Sequence, residues 1–266
     1  MSEYRAVPDA HSACDPVALV VPCFNEAHRL DTEAFRSFSS DRSWLRFLFV
    51  DDGSRDSTPQ VLDALVRHSP ERFELLRLPG NRGKAEAVRS GIERALAAGT
   101  PCVGFWDADL ATPLVELDGM RSAMAAHPSL ELVLGSRVQL LGHRIERHVW
   151  RHYFGRFAAT FVSQLLTLRV YDTQCGAKLF RATPAIHDVF SRPFVTRWEF
   201  DVEILARWLV YQRAQGEPDL DERLLEIPLA AWEDVAGSSM SPRDFLRAPL
   251  DLARLWWHYA GALRAG

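Results

Sequence analysis

The sequence is short of several features that mark particular classes of protein. In its 266 residues, no apolar run approaches the roughly 20 residues needed to span a bilayer, and the N-terminus has no apolar segment typical of a signal peptide. The net charge of −4 gives no global reason to expect nucleic-acid binding. We therefore expect a cytoplasmic protein that has no nucleic-acid partner.

Cysteine and lysine are also scarce. The four cysteines show no paired metal-ligand spacing, and they are Cys14, Cys23, Cys102 and Cys175. We therefore expect reduced thiols, without a zinc site or a disulfide framework. The chain relies on arginine for positive charge, and its two lysines, Lys84 and Lys178, each lie in a stretch that contains glycine.

Short apolar runs alternate with amphipathic stretches through the first half of the chain. The runs predict buried strands over residues 17–21, 45–50, 73–78, 102–106 and 130–134. This alternation predicts an α/β fold with a mostly parallel central sheet and helices on both faces. No Gly-x-Gly-x-x-Gly motif follows the first run, which disfavours a dinucleotide-binding form of that fold.

The second half of the chain has a different pattern. Residues 143–168 predict one long amphipathic helix, with Arg144, Arg147 and Arg151 in a basic stripe beside aromatic residues. We predict a loose tail over residues 1–15, one domain over residues 16–240 and a C-terminal helix over residues 241–266.

Acidic residues follow three of the predicted strands at the point where each strand ends. These ends carry Glu26, Asp52 and the pair formed by Asp107 and Asp109. One such acid often only caps the next helix, but three on neighbouring strands predict a shared crevice at the sheet edge where ligands bind. Asp107 and Asp109 together can approach a hard cation such as Mg²⁺ or Mn²⁺ through oxygen.

Several motifs resemble those of a known family. Residues 21–26 (VPCFNE), 49–58 (FVDDGSRDST), 81–85 (NRGKA) and 107–109 (DAD) resemble inverting family 2 glycosyltransferases of the GT-A fold. Residues 135–137 (GSR), 172–180 (DTQCGAKLF) and 198–203 (WEFDVE) resemble the subgroup that glycosylates polyprenyl phosphates, the dolichyl-phosphate glucosyl- and mannosyltransferases. The resemblance covers roughly residues 17–240, and the motifs occur in the family's order.

The resemblance implies transfer of a hexose from a nucleotide sugar, of the UDP-glucose or GDP-mannose type, to a polyprenyl or dolichyl phosphate. Residues 16–137 would bind the donor and residues 138–240 the acceptor. The implied donor-binding residues are Pro22, Glu26, Asp52, Lys84, Asp107, Ala108, Gln174 and Lys178. Asp109, assisted by Asp107, would hold Mg²⁺ or Mn²⁺, which neutralises the diphosphate leaving group.

The acceptor determines which further residues are needed. A phosphate monoester is largely dianionic at neutral pH, so it can attack without a general base but needs a cationic pocket. The candidates for that pocket are Arg137, Arg144, Arg147 and Arg151, with Trp198 at its border and Arg137 also a candidate catalytic residue. A sugar hydroxyl would instead need a general base, and the candidates are Asp201 and Glu203 in residues 198–203 (WEFDVE).

Other interpretations of these residues stay open. Lys84 can be a solvated helix start, Gln174 and Lys178 part of a loop before a strand, the arginine stripe a solvated face and Trp198 a core residue. The whole chain can also be a transferase with a soluble hydroxyl acceptor, an Asp-x-Asp phosphatase or a non-catalytic nucleotide-sugar-binding protein.

Membrane contact is a further open point. Residues 237–240 (GSSM) lack the basic residue that many lipid-phosphate transferases carry after Gly-Ser. The arginine stripe and the C-terminal segment 255–259 (LWWHY) nevertheless suit peripheral contact with the inner face of a membrane, although the segment can equally pack on the domain.

Overall fold

The computed structural model describes residues 14–138, 144–146, 166, 168, 170–217, 220–233, 235 and 242–264. The strands are β1 (Val17–Cys23), β2 (Leu45–Asp51), β3 (Phe73–Arg77), β4 (Cys102–Trp106), β5 (Leu132–Ser136), β6 (Arg144–Glu146), β7 (Ala177–Arg181), β8 (Leu224–Pro228) and β9 (Ala231–Glu233). The helices are α1 (Thr32–Ser39), α2 (Thr58–His68), α3 (Lys84–Ala97), α4 (Glu116–Ala126), α5 (Pro184–Phe190), α6 (Phe200–Ala214) and α7 (Pro242–Arg264).

Seven strands form one mixed sheet in the order β3-β2-β1-β4-β7-β5-β8. β1 lies between β2 and β4 and is parallel to both, and β2 is parallel to β3. β7 is inserted between β4 and β5 and runs antiparallel to each of them. Because β1, β2 and β4 run parallel, the loops that follow them meet at one edge of the sheet.

Apolar side chains fill the space on both faces of this sheet. Successive residues of a strand point to opposite faces, so Val20 joins the core under α3, α5, α6 and α7, whereas Leu19 joins the core under α1, α2 and α4. Each face therefore carries its own layer of helices. The predicted α/β fold, with a mostly parallel central sheet between helices, is confirmed.

The predicted helix over residues 143–168 is wrong at its beginning. Arg144–Glu146 forms β6, which pairs in parallel with β9 (Ala231–Glu233) in a separate two-stranded sheet. Local periodicity does not reveal such a pairing, because the partner lies far away along the chain. The side chain of Arg144 lies outside the described residues, as do Arg147 and Arg151.

The N-terminal segment is attached to the domain. Cys14 and Cys102 form a disulfide with their Cα atoms 5.3 Å apart, although they are separated by 88 residues. Asp15 accepts two hydrogen bonds from Arg121, at 2.8 and 2.6 Å. The prediction of reduced thiols is therefore wrong for these two cysteines, and the predicted loose tail is wrong for its last two residues. Sequence spacing gave no signal, because only the fold brings the cysteines together.

The C-terminal helix α7 packs on the domain along one side. Leu255 and Tyr259 are buried on that side, whereas Leu250 and Trp257 on the other side are 62% and 83% exposed. Within the part of the chain that the structure describes, no helix is both long and apolar enough to cross a membrane.

Candidate active site

The loop after β1 carries Glu26 to the edge of the sheet. The backbone N–H of Glu26 donates to Thr58 Oγ1 at 2.8 Å, which ties this loop to the start of α2. Arg29 donates to both carboxylate oxygens of Glu26, at 2.8 and 2.6 Å. The hydrogen bonds to Glu26 raise the pKa of Arg29, and the charges of Asp109 and Asp107 add to this effect. Arg29 is therefore a site cation that the sequence analysis missed.

Asp52 follows β2 and shapes the loop before α3. One oxygen of its buried carboxylate accepts the N–H of Arg82 and the other that of Gly83, both at 2.7 Å. Burial raises the pKa of Asp52 above its ordinary value, although the two N–H donors oppose the rise. Gly53 has a φ of +69°, and a Cβ there would lie 2.6 Å from Gly80 Cα, so these two loops approach closely only because glycine is present.

Lys84 begins α3 and points to the acidic pair after β4. Its Nζ lies 2.5 Å from Asp107 Oδ1. Burial lowers the pKa of Lys84, but the charges of Asp107, Asp201 and Asp109 outweigh burial and raise the pKa above its ordinary value. The side chain is therefore an ammonium at neutral pH, and it lies among carboxylates rather than in open solvent.

Gly176 holds Asp107 from the other side. Its carbonyl accepts the N–H of Asp107 at 3.1 Å, and a Cβ at this position would lie 2.0 Å from Asp107 Oδ2. The segment before β7 can therefore pass beside this carboxylate only as glycine.

Asp109 lies two residues beyond Asp107 and close to it. Burial raises the pKa of Asp109 above its ordinary value, and the charge of Asp107 raises it further. A divalent cation would relieve this repulsion, and carboxylate oxygens suit Mg²⁺ or Mn²⁺. No group of three or more His, Cys, Asp or Glu side chains in the described ranges is placed to hold an ion. Asp107 and Asp109 would therefore supply two carboxylates to such a cation.

The side chain of Lys178 is buried and not exposed to a bound donor, contrary to the predicted donor contact. It lies in the fully buried part of β7, and its Nζ donates to Asp201 Oδ1 at 2.5 Å and to the carbonyl of Cys175 at 2.6 Å. The reason is its place in the sheet: β7 lies between β4 and β5, so its register puts Lys178 opposite Phe105 and Leu134 in the core.

Two acids of α6 differ in their suitability as a base. Burial raises the pKa of Asp201 above its ordinary value, although the charges of Lys178 and Lys84 oppose the rise. The interaction with Lys84 also shows that Asp201 lies near the residues predicted to bind the donor. Glu203 is fully buried and accepts hydrogen bonds from Arg207 at 2.7 Å and from the hydroxyl of Tyr259 at 2.9 Å. Glu203 is therefore a structural ion-pair residue, and the alternative that made it a base is wrong.

Gln174 and Glu199 form a contact that the sequence analysis missed. Gln174 Nε2 donates to Glu199 Oε2 at 2.5 Å. Burial raises the pKa of Glu199 to about 7, with a further contribution from the charge of Asp201. A glutamate just before a helix looks like an ordinary N-terminal residue, so the sequence held no signal for this environment. The neighbouring Trp198 is partly exposed.

Arg137 follows β5 and is fixed by Asp172. Its Nε donates to Asp172 Oδ2 at 2.6 Å and its Nη2 to Asp172 Oδ1 at 2.8 Å, in a two-point pair. The guanidinium also lies 5.3 Å from the ring centre of Trp232. Burial lowers the pKa of Arg137, but the charge of Asp172 outweighs burial and raises the pKa above its ordinary value. Sequence reasoning found the arginine but not its carboxylate partner.

Pro22, Ala108 and Cys175 lie in the strands and buried loops around the site. Pro22 lies in β1 opposite Val50, and Ala108 is buried between the two carboxylates of the acidic motif. Burial raises the pKa of the Cys175 thiol to about 11, which suits packing rather than nucleophilic chemistry.

The structure gathers carboxylates, an ammonium and a guanidinium at the edge where β1, β2 and β4 end.

Comparison with known proteins identifies the family of this site. Residues 18–185 match the glycosyl transferase family 2 model. The chain belongs to glycosyl transferase family 2. The resemblance inferred from the motifs is therefore confirmed, as is the predicted class of enzyme, and the Asp-x-Asp phosphatase is excluded.

Two curated proteins show how far the similarity extends. The dolichyl-phosphate beta-glucosyltransferase of Drosophila melanogaster is 31% identical over 268 residues, which cover 93% of this glycosyltransferase and 77% of that protein. The dolichyl-phosphate beta-glucosyltransferase of Dictyostelium discoideum is 30% identical over 262 residues, which cover 91% and 74% of the two chains.

A solved structure supports the fold. Glucosyl-3-phosphoglycerate synthase from Mycobacterium tuberculosis, in complex with Mn²⁺, UDP-glucose and phosphoglyceric acid, superimposes with a TM-score of 0.65 at 17% identity. The match covers 95% of this glycosyltransferase and 82% of that chain. The GT-A architecture predicted from the motifs is thereby confirmed.

Proposed function

We propose that this glycosyltransferase transfers a hexose from a nucleotide sugar, of the UDP-glucose or GDP-mannose type, to a polyprenyl or dolichyl phosphate, with inversion at the anomeric carbon. The observation that carries this proposal is the convergence of Lys84, Asp107 and Asp109 at the end of β4 and the start of α3. The relatives that support the acceptor are dolichyl-phosphate beta-glucosyltransferases.

The donor would lie along residues 16–137. Asp109 and Asp107 would hold Mg²⁺ or Mn²⁺, which supplies Lewis-acid neutralisation of the diphosphate leaving group. Lys84 would meet the same diphosphate as a compact cation, because its ammonium already lies 2.5 Å from Asp107. Glu26 and Asp52, with Pro22 and Ala108 between them, would shape the nucleoside part of this site. Gln174 would border the sugar.

The acceptor would lie against residues 138–240, with Arg137 at the boundary. Arg137 would contact the acceptor phosphate, because its two-point pair with Asp172 fixes the plane of the guanidinium. A dianionic phosphate carries its own nucleophilic oxygen, so Asp201 would position groups rather than remove a proton. Arg144, Arg147, Arg151 and Trp198 stay candidates for the rest of this pocket.

A second candidate function is transfer to a soluble hydroxyl acceptor. The observation that favours it is Asp201, because burial raises the pKa of this carboxyl and so makes it a better base than an exposed aspartate. Replacement of Asp201 by asparagine together with Lys178 by methionine, which removes both charges of the buried pair, would stop transfer to a hydroxyl but largely spare transfer to a phosphate.

A thermal-shift panel of UDP- and GDP-sugars, with and without Mn²⁺ or Mg²⁺, tests the donor half of the proposal. A ligand at ~100 times its dissociation constant stabilises the fold by about 2.7 kcal/mol. We expect one nucleotide sugar to raise Tm only with metal present, and a nucleoside monophosphate to give a smaller shift. The matching radiolabelled sugar should then appear on a polyprenyl phosphate. An absence of metal-dependent stabilisation by every nucleotide would contradict the proposal.

We also propose that the protein works at a membrane surface through α7. Leu250, Arg254 and Trp257 share one face of this helix at i, i+4 and i+7 spacing, and both apolar residues are exposed. Leucine and tryptophan beside arginine suit the boundary between lipid headgroups and acyl chains. A polyprenyl phosphate would be presented at such a surface.

Flotation with vesicles of phosphatidylcholine, alone or mixed with phosphatidylglycerol, tests this surface. We expect the Leu250→Ser, Trp257→Ser double variant to lower vesicle binding by at least about tenfold, since burial of each side chain contributes roughly 1.5–3 kcal/mol. Val115→Ser is the matched control, because Val115 is also exposed but precedes α4. Equal binding of the double variant and the wild type would exclude this face.

The cytoplasmic location also stays a proposal. The Cys14–Cys102 disulfide is an observation against a reducing compartment. Alkylation of the protein in cell extracts prepared without reductant would show whether these two thiols are free.

A further inference from the structure

Among the residues that the structure describes, most buried carboxylates have donors that offset their charge, although Asp51 accepts one backbone N–H, that of Ser54. The pairs are Glu26 with Arg29, Glu131 with Arg223, Asp172 with Arg137, Asp201 with Lys178, Glu203 with Arg207, and Asp52 with the N–H groups of Arg82 and Gly83. This is the usual arrangement, because an unpaired buried charge is costly.

Glu199 departs from that arrangement. It is 3% exposed, and among the residues that the structure describes its carboxyl has one hydrogen-bond partner, the neutral amide of Gln174, and no ion pair. Glu199 immediately precedes α6, whose first turn contains Asp201. Its carboxyl is therefore placed within the site rather than on a solvated helix end.

The charged groups around Glu199 are negative. Asp201 on α6 and Asp251 on α7 both raise the pKa of Glu199, after the larger effect of burial. The ammonium that pairs with Asp201 is that of Lys178, which is also bound to a carbonyl oxygen. In this surrounding the neutral carboxyl is favoured, and ionisation adds a further negative charge to a buried region.

Glu199 is also connected to the donor side. Gln174, its partner, lies two residues before Gly176, whose carbonyl accepts the N–H of Asp107. A change in the protonation of Glu199 therefore acts on the segment beside the acidic motif through the side-chain amide of Gln174. The proposed acceptor phosphate would approach the acidic motif from the side of α6, because Asp201 of that helix interacts with Lys84 and Asp107. An ionised Glu199 beside Asp201 would repel it.

We propose that Glu199 is a positioning residue that orients Gln174 and whose protonation allows an anionic acceptor to bind. This inference rests on the proposed phosphate acceptor. With a proton, Glu199 is neutral and can hold the amide of Gln174 without repelling the phosphate. Without the proton, Glu199 still accepts the hydrogen bond from Gln174, but its negative charge repels the acceptor phosphate.

Calorimetric binding of a short-chain polyprenyl phosphate, with UDP and Mn²⁺ present, tests the proposal across pH. The Kd of the wild type should rise about tenfold between pH 7 and pH 8.5, because the ionised fraction of Glu199 grows while a phosphate with a second pKa near 6 is already dianionic. In Glu199→Gln, which is neutral at every pH and retains a partner for Gln174, the Kd should stay level over this range.

Two controls separate this role from a structural one. Glu222→Gln removes a carboxyl from an exposed position near β8 and should keep the wild-type pH dependence. Glu199→Ala should raise the KM for the nucleotide sugar at every pH, because the amide of Gln174 loses its partner, and Glu199→Gln should restore it. An unchanged rise of Kd with pH in Glu199→Gln would overturn the proposal.

The binding assay also distinguishes failure of this inference from failure of the proposed function. It measures the acceptor without turnover, so it reports on Glu199 even where no sugar is transferred. Loss of transfer with a Glu199-dependent Kd would reject the proposed reaction alone. Transfer with a Kd independent of Glu199 would reject the inference alone.

Discussion

Replacement of Asp109 by asparagine should lower kcat by about a thousandfold or more. Asp109 is half-buried beside Asp107, and the two carboxylates supply the negative oxygens that suit a divalent cation. Loss of one charge removes several kcal/mol of transition-state stabilisation at the diphosphate, and each ~1.4 kcal/mol is a factor of ten in rate. Turnover of the nucleotide sugar, measured beside the thermal shift with UDP and Mn²⁺, checks this expectation.

The fold should survive this change. An asparagine side chain has nearly the shape of the aspartate that it replaces. The repulsion by Asp107, which adds to the effect of burial in raising the pKa of Asp109, would be absent. Asp56→Asn is the matched control, because Asp56 also follows a strand but accepts the N–H groups of Ala27 and Thr58 as a turn residue. Its kcat should stay near that of the wild type. A variant without the Asp109 carboxylate that still shows metal-dependent stabilisation would refute the assigned role.

Replacement of Lys178 by methionine should destabilise the protein by about 3–5 kcal/mol, the range for removal of one partner of a buried ion pair. Lys178 is fully buried, and its ammonium donates to Asp201 at 2.5 Å. Without it, the pKa of Asp201, already raised by burial, would rise further. The loss should therefore be largest at neutral pH and become smaller as pH falls and Asp201 gains a proton. Urea denaturation at two pH values measures it.

The double variant Lys178→Met, Asp201→Asn provides the control for this pair. It removes both charges, so we expect it to recover most of the lost stability at neutral pH. It should retain transfer to a phosphate acceptor, which needs no base, and lose transfer to a hydroxyl acceptor. Stability in Lys178→Met equal to that of the wild type would mean that the buried pair contributes nothing to the fold.

Strand ends were the part of the site that sequence could reveal. Apolar runs set β1, β2 and β4, and the acids that follow a strand must meet where parallel strands end. Glu26, Asp52 and Asp109 were therefore found without any knowledge of the fold. Lys84 was assigned to the donor because residues 81–85 (NRGKA) resemble a motif of the family.

Partners contributed by other parts of the fold could not be found in this way. Arg29 and Asp172 fix two predicted residues, yet neither stands in a pattern that distinguishes it from a surface charge. Lys178 was placed beside the donor because its motif resembles a stretch that the family places there. Its strand is instead inserted antiparallel into the sheet, which buries the ammonium.

The acidic motif, the alternating strands and the family of this glycosyltransferase were determined by sequence alone, because they depend on neighbours within a few residues or on motifs in a known order. Tertiary structure alone decided the Cys14–Cys102 disulfide, the β6–β9 pairing and the contact of Gln174 with Glu199. These features join residues that are distant along the chain, and their energies come from burial and pairing, which no local pattern records.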